Sequence, residues 1–292
     1  MRAFIDSFAI AGVAMVALLG CTNDTGGNAS LVVRADALAE ARDGISTMQT
    51  ADGFSVEFDH VVLALEGFFM QTTLGDAQPL PSESAVVELV PSGSEVFRFE
   101  GLEARRWDNV GFSTAPAQAE AARVSVDDQI VDQMVANGWS QFVSGTMVSP
   151  DGMRFPFEFG FPVRVDYVRC RSGRDGTDGV VLPDNGQAQA EITWHLTHLF
   201  FDSFAEDSSL RVEPIAAMYD GTNPVTIDQL SAQPLADVRG LDGQPLTDDL
   251  GNPVLYIPPA GGAETLREFV LSARFAHFDG LEGFCNSELT LL

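Results

Sequence analysis

The chain has 292 residues, with 42 Asp and Glu against 16 basic residues, all of them arginine, and a formal net charge of −26. A surface of this sign repels phosphate backbones and anionic headgroups, which excludes nucleic-acid binding and membrane attachment through basic patches. With 45% hydrophobic residues and 21 Phe, the chain can bury a full core, which excludes wholesale disorder.

Arg2 opens a short polar start, and Phe8 to Leu19 is a run without charge. That run is shorter than the roughly 20 residues that span a bilayer, so residues 1–20 read as a secretion signal. Leu18-Leu19-Gly20-Cys21 resembles the lipobox of bacterial lipoproteins, which implies cleavage before Cys21 and lipid on its thiol. Thr22 after the cysteine favours the outer membrane, and residues 21–50 are expected to form a tether and N-terminal segment. In that oxidising setting the remaining cysteines, Cys170 and Cys285, are expected to bond.

Residues 51–170 predict an antiparallel β-sandwich-like domain with a helical insertion. Phe54, Val56, Phe58, His60, Val62 and Ala64 share one face of a period-two pattern, and Val61, Leu63 and Leu65 the other. Both faces become apolar toward the end, as in a strand covered on two sides. Further strands are expected at 85–90, 95–99, 109–113 and 141–148. Phe155, Phe157, Phe159, Phe161, Val163, Val165 and Tyr167 alternate with polar residues over a length that should bend near Gly160-Phe161-Pro162, after a hairpin turn at Ser149-Pro150-Asp151-Gly152. The insertion is a helix capped by Ser125, with Asp127 and Asp128 at its positive end, an inward stripe of Ile130, Val131 and Met134, and a stop at Asn137-Gly138.

An acidic, Gly-rich loop over 171–187 leads into a smaller α/β segment, 188–292. Its expected elements are a strand from Glu191 to Phe201, short helices at 212–218 and 226–232, and a longer helix at 265–275 whose apolar face His277 would continue.

The four histidines carry weight because there are so few. His195 and His198 lie in Trp194-His195-Leu196-Thr197-His198-Leu199-Phe200-Phe201-Asp202, while His60 and His277 continue apolar faces. Neutral imidazole is the commonest ligand of Zn and Cu, so inward histidines are answered either by a shared metal or by separate partners in the core. Residues three apart on a regular strand face opposite sides, so His195 and His198 converge only where the strand ends, bulges or turns helical.

The segment from Ile192 to Phe201, the stretch 210–230, Asp52 to Asp59 followed by Val62-Leu63, Gly145 with Phe155 to Cys170, and the ending His277-Phe278-Asp279-Gly280-Leu281-Glu282-Gly283-Phe284-Cys285 resemble a family of envelope lipoproteins in myxobacteria and related envelopes. The resemblance implies His195, His198 and His277 as metal ligands, with Asp202 and Glu282 as ligands or supporting carboxylates. Phe284 stands where the family has a last histidine, and His60 is the candidate to replace it. The family's calcium-loop-like stretch falls on 218–229, where Met218, Asn223 and Gln229 occupy the first, sixth and twelfth places, so calcium is not expected there. Asp175, Asp178 and Asp184 offer oxygen ligands in a loop whose default is solvation.

No nucleophile elbow, phosphate-cradling glycine loop or HExxH helix is present. The function expected is that of a lipid-anchored envelope protein binding Zn or Cu for capture, storage or delivery. The alternatives are a metal-free surface interaction module with an envelope partner protein, and a metallohydrolase using a base such as Glu282.

Overall fold

The alternating apolar pattern folds into two facing sheets, beside a third sheet of only two short strands. A computed structural model of the chain describes residues 28–205, 208–248, 250–258, 262–280 and 282–292. The signal segment and Cys21 lie outside these residues, as does Leu281. In chain order the strands are β1 (Ala29–Asp36), β2 (Ser55–Gln71), β3 (Ala77–Gln78), β4 (Ser84–Glu88), β5 (Ser94–Leu102), β6 (Arg106–Trp107), β7 (Asn109–Thr114), β8 (Ala122–Val124), β9 (Gln141–Val148), β10 (Arg154–Phe161), β11 (Val163–Arg171), β12 (Val180–Val181), β13 (Gln187–Trp194), β14 (Val225–Thr226), β15 (Ala276–Phe278) and β16 (Phe284–Leu291). The α-helices are α1 (Leu38–Asp43), α2 (Asp128–Asn137), α3 (Glu213–Ala216) and α4 (Leu266–Leu271). Among the described residues no helix is long and apolar enough to cross a membrane.

The small sheet runs β15-β13-β1-β5, and the large one follows β14-β10-β9-β2-β7-β11-β16, with β3 and β4 paired to β2 and β8 paired to β4; β12 and β6 form a separate two-stranded ribbon. Most pairs are antiparallel. Three are parallel: β1 with β13, β10 with β14, and β4 with β8. The fold is thus mainly β and sandwich-like, with mixed pairing at these positions. Strands drawn from 29–36, 94–102, 187–194 and 276–278 share the small sheet, so the early and late segments of the chain interleave.

Aromatic side chains join the layers. Phe68 stacks on Phe99 with ring centroids 5.8 Å apart, Tyr167 meets Trp194 at 6.5 Å, and Phe161 meets Phe275 at 5.6 Å. Each contact links a large-sheet strand to the small sheet or to the segment leading into it. The opposite face of β2 has its own cover: Val62 and Ala64, with Val86 and Phe142, pack under Val131 and Met134 of α2. This explains why both faces of β2 become apolar.

The alternating Phe155–Tyr167 run divides at Pro162, which has no N–H to donate to a ladder, and the two halves pair in different parts of the large sheet. Helix α2 is capped by Asp127, whose carboxylate accepts the Gln129 N–H at 2.7 Å, and not by Ser125; Gly138 ends it in the left-handed conformation. The Cys170–Cys285 disulfide ties the end of β11 to the start of β16 across 115 residues of sequence.

Two further differences from expectation shape the site. The strand after Glu191 stops at Trp194 and becomes a 3-10 turn over Leu196–Leu199. Helix α4, closed by a Thr265–Glu268 capping box, ends at Leu271, and His277 sits on β15, where pairing with β13 replaces continuation of the helix.

Candidate metal centre

His277 is placed by sheet register. On β15 it lies directly opposite Thr193 of β13. His195, two residues beyond Thr193, projects to the same side and remains tied to the residue before β15 by its N–H bond to the Phe275 carbonyl at 2.9 Å. The two rings approach to 4.1 Å between centroids.

His198 arrives by a change of period. In a 3-10 turn residues three apart eclipse, so once the strand ends at Trp194 the spacing that separates side chains on a strand brings them together. His198 lies 5.4 Å from His195 and 5.6 Å from His277, between ring centroids. One ligand nitrogen from each of the three falls within 4.8 Å of the others. A tetrahedral site with metal–nitrogen bonds of about 2.0–2.1 Å has nitrogens roughly 3.4 Å apart, so the pairs here are at most about 1.4 Å too wide.

The turn is held from outside. The Glu40 carboxylate of α1 accepts the backbone N–H of Leu196 at 2.7 Å and of Thr197 at 3.2 Å, capping the free donors at its start. Burial raises the pKa of Glu40, against these bonds, which favour its charged form. On the other strand, the Asp279 carboxylate accepts the Glu191 N–H at 2.7 Å while its own N–H donates to the Glu191 carbonyl. That reciprocal pair locks the β13–β15 register, and burial pushes the Asp279 carboxyl up to about 6. Sequence reasoning missed both carboxylates. Glu40 lies within the segment expected to be a tether and N-terminal stretch, 156 residues before Leu196 in the turn it caps, and no local signal links the two.

The chemistry of the three rings suits a cation. His198 Nδ1 bonds the Arg274 carbonyl at 2.5 Å; a carbonyl can only accept, so Nδ1 carries the proton and Nε2 keeps a lone pair. His195 is 8% exposed, and its Nε2 is buried with no hydrogen-bond partner. Such an orphaned group is destabilising unless something satisfies it. Burial, with repulsion from His277 and then His198, pushes His195 down to about 3. Burial also takes His198 down to about 4, although its bond to Arg274 favours the charged ring. Both are therefore neutral near pH 7, the form that donates to a metal. Phe201 and Phe275 flank His198 at 4.9 and 6.4 Å, giving the group an apolar wall.

The other sequence candidates lie elsewhere. His60 does not join the group: its Nδ1 meets Glu88 at 2.9 Å and its side chain is 45% exposed. The cause is a β-bulge. Phe58 pairs with Gly145 and His60 with Ser144, leaving Asp59 as the extra residue, so His60 turns away from the core face that Phe58 occupies. Asp202 is bound by Arg211 at 2.9 Å and by the Ser209 N–H, and Glu282 is exposed. Neither carboxylate belongs to the histidine group.

Phe284, where the resemblance leads one to expect a histidine, is exposed beside the disulfide. In the calcium-like stretch, Asp220 accepts the N–H groups of Thr222 and Asn223, while Gln229 closes a capping box with Thr226. Asp175 bonds Thr177. The glycine of the ending has a packing reason, since a Cβ on Gly283 would lie 1.7 Å from the Phe278 carbonyl oxygen.

No protein-family model matches the chain, and comparison with curated proteins gives no match. Among solved structures, MbnP from Methylosinus trichosporium is similar over 82% of this chain and 98% of its own, at 13% identity and a TM-score of 0.32. The functional reading rests on the histidines themselves.

Proposed function

We propose that the protein binds Zn or Cu through His195, His198 and His277, as a lipid-anchored envelope protein that captures, stores or delivers the metal. The observation that carries this is the convergence of three imidazole nitrogens within 4.8 Å of one another, two of the rings held neutral by burial. Three protein ligands leave a coordination position open, which suits a cargo that must be taken up and released. The acidic surface, at −26, raises the local concentration of cations without selecting among them. Lipid on Cys21 would hold the protein at the outer membrane with no need for basic residues.

The test is metal stoichiometry and affinity on tag-free protein. We expect one Zn or Cu per chain by elemental analysis, with a rise in melting temperature on adding metal, and loss of both in H195A, H198A and H277A. Absence of stoichiometric metal, with melting unchanged by Zn and by Cu, would overturn the proposal. The metallohydrolase alternative needs a base beside the metal. Asp202 and Glu282 stand outside the group, so binding is the reading the geometry favours.

A further inference from the structure

In a chain so rich in acids, arginines are expected to be engaged, and nearly all of them are. Among the described arginines every guanidinium except that of Arg169 makes a hydrogen bond or ion pair: most meet carboxylates, while Arg34, Arg171 and Arg274 meet backbone carbonyls. Arg169 is bonded through its backbone alone, its N–H donating to Asn109 Oδ1 at 3.1 Å. Its φ of 52° is left-handed, and it sits where the β11–β16 pairing skips between Val168 and Arg171. An arginine held in a strained conformation on a bulge, with its charge uncommitted, marks a constrained position.

Arg169 lines a cleft of about 580 Å³ at one end of four neighbouring strands, β2, β7, β11 and β16. Gln71, Asn109 and Asn286 line it too, and Phe284, 51% exposed, contributes an aromatic ring. Asn109 is occupied: its amide donates to Gln71 Oε1 at 3.1 Å while its carbonyl takes the Arg169 N–H. Among the described residues this leaves the Gln71 amino group and the Asn286 amide without a side-chain hydrogen bond, beside the uncommitted guanidinium. None of these residues belongs to the histidine group.

We infer that this cleft binds a saccharide carrying a single carboxylate. A guanidinium fork matches a carboxylate with two parallel bonds. Side-chain amides donate to and accept from ring hydroxyls, and an exposed phenyl ring takes the apolar C–H face of a sugar. The volume lies in the range of small-molecule sites. Asp108 and Asp178 also line the cleft, and with the net charge of −26 they disfavour a polyanion, so one carboxylate per ligand is the fitting charge.

The test uses two probes that differ only at the carboxylate, methyl β-glucuronide and methyl β-glucoside, titrated into the isotope-labelled chain and followed by NMR. The expected result is saturable shifts of the Arg169, Gln71 and Asn286 side-chain resonances, with glucuronide favoured about tenfold or more. R169Q should remove that preference while the rest of the spectrum shows an intact fold. F284L should weaken both sugars, and its spectrum reports its own folding. Equal affinities, no saturable shift at tens of millimolar, or acetate binding as well as glucuronide would each overturn the inference.

Discussion

Acidifying the metal-free protein tests the histidine group without any assumption about which metal it takes. His195 and His198 have folded-state values of about 3 and about 4, against 6.5 for an ordinary histidine. On acidification the unfolded chain takes up protons first, so stability is full above about pH 6.5, falls as pH drops through that value, and levels off near pH 3. At about 1.36 kcal/mol per pH unit, lowering the pH to 4 destabilises one isolated buried histidine by roughly 3 kcal/mol. The two rings repel each other and solvent reaches part of the group, so their effects do not add, and the pair together is expected to contribute about 3 kcal/mol. For a chain of this size that is a melting shift of roughly 6–12 °C.

Carboxylates also titrate over this range, so the comparison is with a His195→Gln/His198→Gln variant, in which they contribute equally. Denaturant unfolding of both proteins at pH 7 and pH 4 isolates the histidine contribution. The variant should be about 3 kcal/mol less acid-sensitive than the native chain. Equal acid sensitivity would refute the claim that the fold holds these rings neutral.

Glu40→Ala removes the carboxylate that caps the 3-10 turn, and by analogy with supporting partners of other metal ligands should weaken metal binding about 10- to 100-fold in a calorimetric titration. His60→Ala should leave metal stoichiometry and affinity unchanged, because the bulge at Asp59 turns His60 outward to Glu88. Reducing Cys170–Cys285, or replacing both with serine, should lower unfolding stability by about 2–5 kcal/mol, since the bond closes a span of 115 residues. A double-serine protein as stable as the native one would sink that prediction.

Much of the architecture was legible because it follows from local period. The alternating phenylalanines keep their period of two on either side of the proline that divides them, and the apolar residues on both faces of β2 match its cover on two sides. The cysteine pair followed from number, with Cys21 set apart for the expected lipid, and from the oxidising setting that expectation carries. The histidines were legible as types and less so as positions. His195 and His198 looked divergent on a continuous strand, and His277 looked helical. His60 looked inward until a single extra residue in β2 reversed its face, an event that leaves no mark on composition and only a faint one on pattern.

By itself, the sequence determined that the chain is acidic, lysine-free and mainly β, and that its few imidazoles fall in apolar stretches of sequence, because charge and side-chain period are properties of neighbours along the chain. Only the tertiary structure decided which imidazoles meet. That depended on where β13 stops, on the register of β15 against it, and on Glu40 reaching the turn from residues far away in sequence. These are long-range pairings, set by burial and by the satisfaction of backbone donors, and a local pattern does not encode them.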